Sequence, residues 1–368
     1  MKVTEIFKMD LEVVDRLFLI GPPGIGKTEV IEQYARQKAE EMGKIFINLR
    51  DATEEDMLKI LEEPEKYFTF FKLPATHLLV DDLGYLRPKD GYALFVPPLI
   101  IKVMSITQGI FFIDEITNVH NPIARTALYA IIQEKEASWN TRFPKQIIIL
   151  AGNPPEFSAD AELLPEALQN RVTMVNVTPT SVEEWVSYML RKHGENFAPE
   201  VINYLMKNKS DLFAIPSGRG IPFPSPRSWE ALGIILPKLP KELWDPVIDG
   251  RVGPEVGMRF KMFLSTKVID VEELIENPWK FEELKDEERY AVMHSLASNL
   301  TRLLAIKEWI EIFKERKEFF MALLNIALNL SKEMAKELRV LLISNPETRK
   351  ILAEEQSDTI VNMVLNAR

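Results

Sequence analysis

A glycine-rich loop at residues 21–30, GPPGIGKTEV, has the residue types and spacing of a phosphate-binding loop. The four fixed positions of the pattern G-x-x-x-x-G-K-[ST] are filled by Gly21, Gly26, Lys27 and Thr28. Glycine tolerates the positive φ angles that turn backbone N–H groups toward an anion. Lys27 is expected to reach the β- and γ-phosphates of a nucleotide, and Thr28 to ligate Mg²⁺. The candidate nucleotide contacts in this loop are Gly21, Pro22, Pro23, Gly24, Ile25, Gly26, Lys27, Thr28 and Glu29.

Two apolar runs farther along the chain end in polar residues that suit phosphate chemistry. GIFFIDE places Asp114 and Glu115 at the carboxyl end of a predicted strand, where open α/β sheets bind ligands. Asp114 is expected to contact the nucleotide site and to hold Mg²⁺ together with Thr28, while Glu115 can orient and deprotonate the attacking water. IIILAGNPPE ends with Asn153, whose amide can bond both the γ-phosphate and that water. The order of these residues along the chain favours a γ-phosphate sensor at Asn153.

Two arginines lie near the ends of predicted helices, and a bound phosphate would explain the position of one of them. Arg171, in LPEALQNRV, is predicted to lie where a short helix meets the last strand, and from the residue alone we expect it to be solvated or salt-bridged. In PFPSPRSWE, Ser225 is a good N-cap and Pro226 suits the first helical position, which places Arg227 in the first turn. A cation there opposes the helix dipole, so a nearby anion such as a γ-phosphate would account for it.

The pattern of apolar runs predicts the elements that position these residues. Up to about residue 178, short apolar runs alternate with amphipathic stretches, which is typical of an α/β fold with a parallel sheet covered by helices. Continuous hydrophobicity predicts that the strands are buried on both sides. The predicted strands are LFLI (17–20), IFINL (45–49), GIFFID (109–114), IIILAG (147–152) and VTMVNV (172–177). Beyond residue 180 the apolar spacing becomes helical, with an interruption at 215–228.

Composition limits the classes of protein that remain. With 368 residues, of which 46% are hydrophobic, the chain can form two or three domains with buried cores. A formal net charge of -10 disfavours sequence-independent binding to nucleic acid, and the absence of cysteine excludes disulfides and thiolate chemistry. The opening MKVTEIFKMD is too polar for a signal-peptide core, and the apolar segment 319–330 is too short for a bilayer span. We therefore expect a soluble cytoplasmic protein with a buried helix at 319–330.

Taken together, these motifs resemble those of the AAA+ ATPases, and within them the MoxR-like group related to the dynein-type ATPase domain. The motifs are, in order, GPPGIGKT, FFIDE, AGNPPE, LPEALQNRV and PFPSPRSWE. The resemblance extends over nearly the whole chain through the segments DDLGYLRPKDGYALFVPP, EEWVSYML, PEVINYL, RVGPEVGMRF and ERYAVMHSLASNL.

The resemblance implies an AAA+ P-loop α/β core at 1–178 with a hairpin insert near 79–96, a helical lid at 179–268 and a C-terminal helical region at 269–368. It also implies a homo-oligomeric ring, usually a hexamer, with ATP and Mg²⁺ bound between neighbouring subunits. Carried over position by position, the roles are Walker A for Lys27 and Thr28, Walker B for Asp114 and Glu115, sensor 1 for Asn153, sensor 2 for Arg227 and the arginine finger for Arg171. In relatives with an inserted element before the lid, sensor 2 can act across the interface, so both arrangements remain open for Arg227. Asn48 falls where many relatives keep a polar residue that can restrain the catalytic glutamate, although an asparagine at the end of a strand is equally a turn former.

Two loops are candidates for contact with a substrate. Residues 81–95 have turn chemistry at Pro88, Asp90 and Gly91 and are predicted to form a hairpin, which relatives point at the ring's pore. Such a hairpin could equally be a surface element that only packs on its neighbour. Its candidate contacts are Tyr85, Leu86, Arg87 and Tyr92. Residues 136–145 are expected to expose side chains able to grip a peptide or stack nucleobases, namely Trp139, Arg142, Phe143 and Lys145.

Three hypotheses of function follow. The leading one is an ATP-hydrolysing remodeller of protein complexes, and the resemblance implies a partner with a von Willebrand factor A-type domain. The alternative is a nucleic-acid translocase or helicase on the same ring, against which the acidic net charge argues. The third is a scaffold that binds ATP without turning it over, against which Glu115 argues.

Overall fold

The computed structural model describes residues 1–138, 141–157, 164–215, 218, 220–265 and 269–354. The chain divides into two compact units, Met1–Thr180 and Ser181–Arg368. The first unit contains the strands and the helices between them, and the described part of the second unit is helical.

A parallel sheet forms the centre of the first unit. Its strands and those of two hairpins are β1 (Arg16–Ile20), β2 (Ile45–Asn48), β3 (Tyr67–Pro74), β4 (Tyr85–Lys89), β5 (Tyr92–Val96), β6 (Gln108–Asp114), β7 (Glu136–Ser138), β8 (Thr141–Arg142), β9 (Gln146–Gly152) and β10 (Thr173–Asn176). The sheet has the order β10-β1-β9-β6-β3-β2, and every pairing in it is parallel. Because the strands are parallel, the carboxyl ends of β1, β9, β6 and β3 lie along one edge of the sheet.

Helices cover both faces of this sheet. They are α1 (Leu11–Val14), α2 (Lys27–Glu41), α3 (Glu54–Glu62), α4 (Leu99–Ile106), α5 (Pro122–Glu134) and α6 (Glu166–Gln169). Helix α2 packs on the face that carries Phe46 and Phe70, and the guanidinium of Arg36 lies 4.2 Å from the centre of the Phe46 ring. Helices α3, α4 and α5 share a hydrophobic cluster with Phe111 and Ile148 of the opposite face. The predicted α/β fold is therefore confirmed.

Strand β3 is the strand of the six-stranded sheet that the sequence pattern does not predict. Its sequence, YFTFFKLP, is an apolar run interrupted by Thr69 and Lys72. Thr69 is buried because its hydroxyl pairs with the hydroxyl of Thr107 at 3.0 Å. A partner that is so remote in sequence cannot be predicted from the run itself. Because of the two polar residues, the run was not recognised as a strand at an inner position of the sheet.

The prediction that the strands are buried on both sides is wrong for the two edge strands. Ile45 on β2 and Met174 on β10 are exposed, whereas all seven residues of β9 are buried. An edge strand has a neighbour on one side only, and the covering helices reach less of it. Continuous hydrophobicity does not distinguish an edge strand from a central one.

The second unit is built from helices that share one hydrophobic core. They are α7 (Val182–His193), α8 (Pro199–Lys207), α9 (Pro226–Ile235), α10 (Trp244–Val252), α11 (Pro254–Leu264), α12 (Val271–Glu276), α13 (Trp279–Glu283), α14 (Asp286–Ala291), α15 (Met293–Ser298), α16 (Leu300–Leu304), α17 (Lys307–Glu315), α18 (Lys317–Leu330), α19 (Lys332–Ser344) and α20 (Pro346–Glu354). The buried cluster extends from Val182 to Leu352. Residues on both sides of position 268 contribute to it.

Helix α18 contains the most apolar late segment of the sequence. Its residues 319–328 are buried, which confirms the predicted buried helix. Its two asparagines have partners on α7, since Ser187 Oγ donates to Asn325 Oδ1 at 2.7 Å and Asn329 Nδ2 donates to Ser187 Oγ at 3.3 Å. Within the described residues, no helix combines the length and the apolar character that a bilayer crossing needs.

A carboxylate near the core of the second unit holds several helices together. Asp211 accepts hydrogen bonds from Arg259 Nε at 3.0 Å and Arg259 Nη2 at 2.8 Å, and also from the hydroxyl of Tyr204. Burial and the hydrogen bond to Asp211 raise the pKa of Tyr204, which therefore stays protonated as a donor. The indole of Trp229 donates to the Asp211 carbonyl oxygen at 2.8 Å. The buried charge is thus compensated by a cation and further donors.

We expect Arg259→Met to lower the free energy of unfolding of the second unit by about 2 kcal/mol, because Asp211 would lose two charge-assisted hydrogen bonds. Glu255→Gln is the matched control. The same guanidinium donates to Glu255 at 3.0 Å, but that side chain is 82% exposed against 10% for Asp211. Its loss should cost less than about 0.5 kcal/mol. Denaturant unfolding followed by tryptophan fluorescence gives both values, and equal losses would contradict the stabilising role of the Asp211 network.

Candidate nucleotide site

The glycine-rich loop lies between β1 and α2, at the carboxyl edge of the sheet. Gly26 is the N-cap of α2 and has a φ of 91°, a conformation that favours glycine. Gly21 is required for a different reason, because a Cβ there would lie 2.5 Å from the carbonyl oxygen of Val177. The loop is therefore pressed against the end of β10, and the amino end of α2 is left without a side-chain cap from Gly26. Such a helix end binds anions through its N–H groups.

Lys27 is the first residue of α2, and its side chain turns back over the loop. Its ammonium donates to the carbonyl oxygens of Gly21 at 2.7 Å and Pro22 at 2.9 Å, and to Asn153 Oδ1 at 3.0 Å. The residue is only 8% exposed. A buried ammonium needs acceptors, and here the loop and the end of β9 supply them. The contact with Asn153 brings together two residues that are 126 positions apart in the sequence.

The acidic strand end reaches the same region through Thr28. Thr28 Oγ1 donates to Asp114 Oδ2 at 3.0 Å, and Lys72 Nζ lies 2.8 Å from the same carboxylate oxygen. A hydroxyl and a carboxylate at this separation are the oxygen ligands that Mg²⁺ prefers, alongside water and phosphate oxygens. Thr28 and Asp114 therefore fit a magnesium–nucleotide site.

Glu115 and Asn153 follow the ends of the two central strands. Glu115 is exposed and has a φ of 60°, which is unusual for a residue with a side chain and is found at functional sites. The backbone N–H of Asn153 donates to Thr117 Oγ1 at 3.1 Å. A Cβ on the preceding Gly152 would lie 2.5 Å from Thr117 Cγ2. Thr117 therefore fixes the position of the backbone where β9 ends.

Glu29 and Arg171 make contacts outside this cluster, and Arg227 lies in the second unit. Glu29 is exposed in the first turn of α2 and accepts from Gln33 at 3.5 Å. Arg171 lies between α6 and β10, where it donates to Glu134 Oε1 at 3.1 Å. Arg227 is in the first turn of α9, and Ser225 is the N-cap of that helix, accepting from the Ser228 N–H at 3.2 Å. The predicted cap at Ser225 and the first helical position at Pro226 are confirmed.

Asn48 lies at the end of β2, the edge strand, and β3 separates it from the strand that ends at Asp114. Its Oδ1 accepts from the Arg50 N–H at 3.2 Å, which is the behaviour of a turn-forming asparagine. The inner position next to β6 belongs instead to β3 and its Lys72. Asn48 therefore acts as a turn former in the structure, and its restraint of the catalytic glutamate stays a prediction.

Sequence reasoning missed two residues of this site, Lys72 and Thr117. Lys72 follows the aromatic run YFTFF, so a lysine at the end of an apolar run was an available signal once that run is taken as a strand. Thr117 is buried two residues after Glu115. A buried threonine in a short turn gives no signal in the sequence, because its role depends on contact with the end of β9.

The two loops that were candidates for substrate contact differ in the structure. Residues 85–96 form the predicted hairpin, closed by Asp90 and Gly91, both with positive φ. Pro88, predicted as a turn residue, lies instead within β4 and pairs with Ala93. In the segment 136–145, Arg142 and Lys145 are exposed but Phe143 is fully buried against Phe111, with ring centres 5.5 Å apart. The expectation that Phe143 is exposed is therefore wrong, and Trp139 lies outside the described residues.

One protein-family model matches the part of the chain that contains most of the candidate site residues. Residues 16–172 match the AAA domain of the dynein-related subfamily. Among curated proteins, none has significant sequence similarity to the chain.

Similar solved structures have low sequence identity. AMPPCP-bound DnaA from Aquifex aeolicus is 15% identical, with 95% of this chain and 92% of that chain covered and a TM-score of 0.32. The ORC2 protein of Aeropyrum pernix is 13% identical, with 99% and 91% covered and a TM-score of 0.34. The Hsp104–ADP complex of S. cerevisiae is 13% identical, with 99% and 48% covered and a TM-score of 0.33.

The sheet order, the glycine-rich loop between β1 and α2, and the family match all fall within the same part of the chain. Residues 16–172 are similar to the AAA domain of the dynein-related subfamily, and this part of the chain has the AAA+ P-loop α/β fold.

Proposed function

We propose that this chain binds ATP with Mg²⁺ and hydrolyses it as a subunit of a homo-oligomeric ring, and that the ring remodels protein complexes in the manner of MoxR-like ATPases. The observation that carries the proposal is the convergence of the Lys27 ammonium, the Thr28 hydroxyl, the Asp114 carboxylate and the Asn153 amide at one edge of the sheet. These are an ammonium for phosphate, two ligands for a hard cation and an amide for the terminal phosphate.

The residues divide the chemistry among themselves. The N–H groups at the start of α2 and the Lys27 ammonium bind the phosphates, with Lys27 exchanging its loop carbonyl partners for phosphate oxygens. Thr28 and Asp114 would hold Mg²⁺, which would neutralise charge on the phosphate oxygens. Glu115 accepts a proton from the water that attacks the γ-phosphorus, and Asn153 orients that water. The bond between the γ-phosphorus and the bridging oxygen breaks, leaving ADP and phosphate.

Arg171 supplies the argument for an oligomer. Its guanidinium is about half exposed, and its partner Glu134 is also on the surface, so the pair is weakly held. An exposed arginine beside the last strand is available to a neighbouring subunit, where it would stabilise charge in the transition state. A ring is the closed assembly that lets every subunit receive such an arginine. We favour a hexamer. We also propose that Arg227 contacts a bound nucleotide, either the one in its own subunit or the one in the neighbouring subunit.

The hairpin of β4 and β5 supports a protein substrate. Its strand residues are largely exposed, including Tyr85 at 57% and Leu86 at 67%. Exposed aromatic and aliphatic side chains in a contiguous hairpin indicate contact with an apolar partner. The segment 81–96 also carries three carboxylates, Asp81, Asp82 and Asp90, against two cations, Arg87 and Lys89. This balance favours a polypeptide over a phosphate backbone.

The MoxR-like assignment adds a partner to this proposal. It is supported by motifs in both units, including RVGPEVGMRF, whose Arg259 belongs to the Asp211 network. Such ATPases often act with a protein that contains a von Willebrand factor A-type domain, and we propose a partner of that kind here. The second candidate function, a nucleic-acid translocase or helicase on the same ring, is kept because Arg142 and Lys145 are exposed in the segment 136–145.

Hydrolysis is tested by a pair of variants in the nucleotide site. We expect Glu115→Gln to bind ATP as the parent does and to release phosphate at least about 100-fold more slowly, because the proton acceptor is lost. Lys27→Ala should instead weaken ATP binding by about tenfold or more, since it removes the phosphate-binding ammonium. Lys38→Ala, on the same helix but ion-paired with Glu12, is the control and should match the parent. Parent protein that binds ATP without releasing phosphate would favour the scaffold hypothesis.

The arginine finger is tested by mixing two inactive variants. Arg171→Ala should bind ATP normally but hydrolyse it slowly, by a factor of about 10³. A mixture of Arg171→Ala with Glu115→Gln should recover part of the activity, because some interfaces then combine an intact Glu115 with an intact Arg171. Glu134→Gln is the control and should hydrolyse ATP as fast as the parent. If the mixture is no more active than its components, Arg171 does not act across an interface.

The substrate class is tested with the slowly hydrolysing variant as a trap. Glu115→Gln loaded with ATP should retain a protein partner, and replacing Tyr85 and Leu86 by serine should release it while leaving ATP binding unchanged. Salt dependence separates the alternatives, since binding to DNA weakens steeply with ionic strength. Strong, salt-sensitive retention of DNA by the parent, lost in Arg142→Ala with Lys145→Ala, would replace the protein-remodelling proposal by the translocase.

A further inference from the structure

A row of aromatic side chains runs across three neighbouring strands on the face of the sheet that α2 covers. The rings of Phe46, Phe70 and Phe112 stack across β2, β3 and β6, with centres 6.5 and 6.3 Å apart. Side chains two residues farther along a strand point to the same face. Lys72 and Asp114 therefore continue the aromatic row of β3 and β6 at the carboxyl edge. Lys72 is placed beside Asp114 by the regular geometry of the sheet and not by an accident of a surface loop.

The contacts of Lys72 coincide with the proposed metal ligands. Its ammonium lies 2.8 Å from Asp114 Oδ2, and that same oxygen accepts the hydroxyl of Thr28 at 3.0 Å. The ammonium is also 3.4 Å from Thr28 Oγ1. The side chain of Asp114 is 16% exposed and that of Lys72 31% exposed, so the pair is largely shielded from solvent. A carboxylate in such a place requires a cation nearby, and here Lys72 provides it.

We propose that Lys72 is a positioning residue of the metal site, whose ammonium compensates the charge of Asp114 in the absence of Mg²⁺ and competes with Mg²⁺ for the same carboxylate oxygen. This inference rests on the proposed nucleotide site. A lysine suits this task because its charge is compact and its stem is flexible, so the ammonium can withdraw toward solvent. The ammonium keeps Asp114 and Thr28 together before nucleotide binds. Mg²⁺ must displace it, because two cations in contact with one oxygen repel each other.

The competition makes a specific prediction about the Mg²⁺ requirement. With Lys72→Met, which keeps most of the stem and removes the charge, the Mg²⁺ concentration that half-saturates tight binding of a fluorescent ATP analogue should fall by about fivefold or more. Affinity for the same analogue in EDTA should stay within about twofold of the parent, because Lys72 is not a phosphate ligand. Lys72→Arg keeps a cation and should retain a Mg²⁺ requirement close to that of the parent.

Lys44→Met is the matched control for removing a shielded lysine from the same unit. Lys44 donates to Gln108 Oε1 at 2.9 Å, at the amino end of β6, far along the strand from Asp114. Its loss should leave the Mg²⁺ requirement unchanged. A thermal unfolding curve for each variant verifies that the full chain remains folded during the titrations.

Three results would overturn the inference. Affinity in EDTA that falls tenfold or more in Lys72→Met would make Lys72 a phosphate ligand. An unchanged Mg²⁺ requirement with a lowered melting temperature would make the pair purely structural. Failure of the parent to bind the analogue at any Mg²⁺ concentration would remove the proposed nucleotide site itself, and this last result is distinguishable because Lys27→Ala would then behave like the parent.

Discussion

The parallel register of four strands is the constraint on which the candidate site depends. Ile20 pairs with Gly152, Ile113 with Leu150 and Pro74 with Asp114, so β1, β9, β6 and β3 end at nearly the same level. Neighbouring strands are about 4.8 Å apart, which is short enough for Lys27, Asn153, Asp114 and Lys72 side chains to meet. A slip of one residue in any pairing would turn its terminal side chain to the opposite face. The burial of aromatic and branched side chains on both faces prevents that slip, and so the hydrophobic core sets the geometry of the polar site.

The sequence predicted the parts of this site that depend on local pattern. The loop before α2 and the polar ends of β6 and β9 could be located because each follows a continuous apolar run. Strand β3 could not be located, because its burial of Thr69 depends on Thr107, which is remote in sequence. Because β3 was not predicted, Lys72 on that strand was not identified as a residue of the site. Phe143 was misjudged for the same reason, since its place against Phe111 depends on tertiary packing and not on the composition of its loop.

Prediction from the sequence reached the same limit in the second unit. Its helices were predictable from spacing, and Ser225 and Pro226 marked the start of α9 correctly. What the pattern could not give is the pairing of polar groups between distant helices. Ser187 and Asn325 are 138 positions apart, and Asp211 and Arg259 are 48 apart. In both pairs a buried polar side chain, Asn325 or Asp211, is satisfied by a partner that is remote in sequence.

The crowding around Gly21 and Gly152 has a consequence for how the site can vary. The N–H of Gly21 donates to the Gly152 carbonyl oxygen at 3.2 Å, and each α-carbon lies against another part of the chain, Val177 for Gly21 and Thr117 for Gly152. A methyl group added at Gly21 would clash with the backbone of Val177, and one added at Gly152 would clash with the side chains of Thr117 and Phe18. Substitutions that adapt the nucleotide site, for example to accept a bulkier analogue of the nucleotide, must therefore be made at other positions. Gly21 and Gly152 have no room for even the smallest side chain.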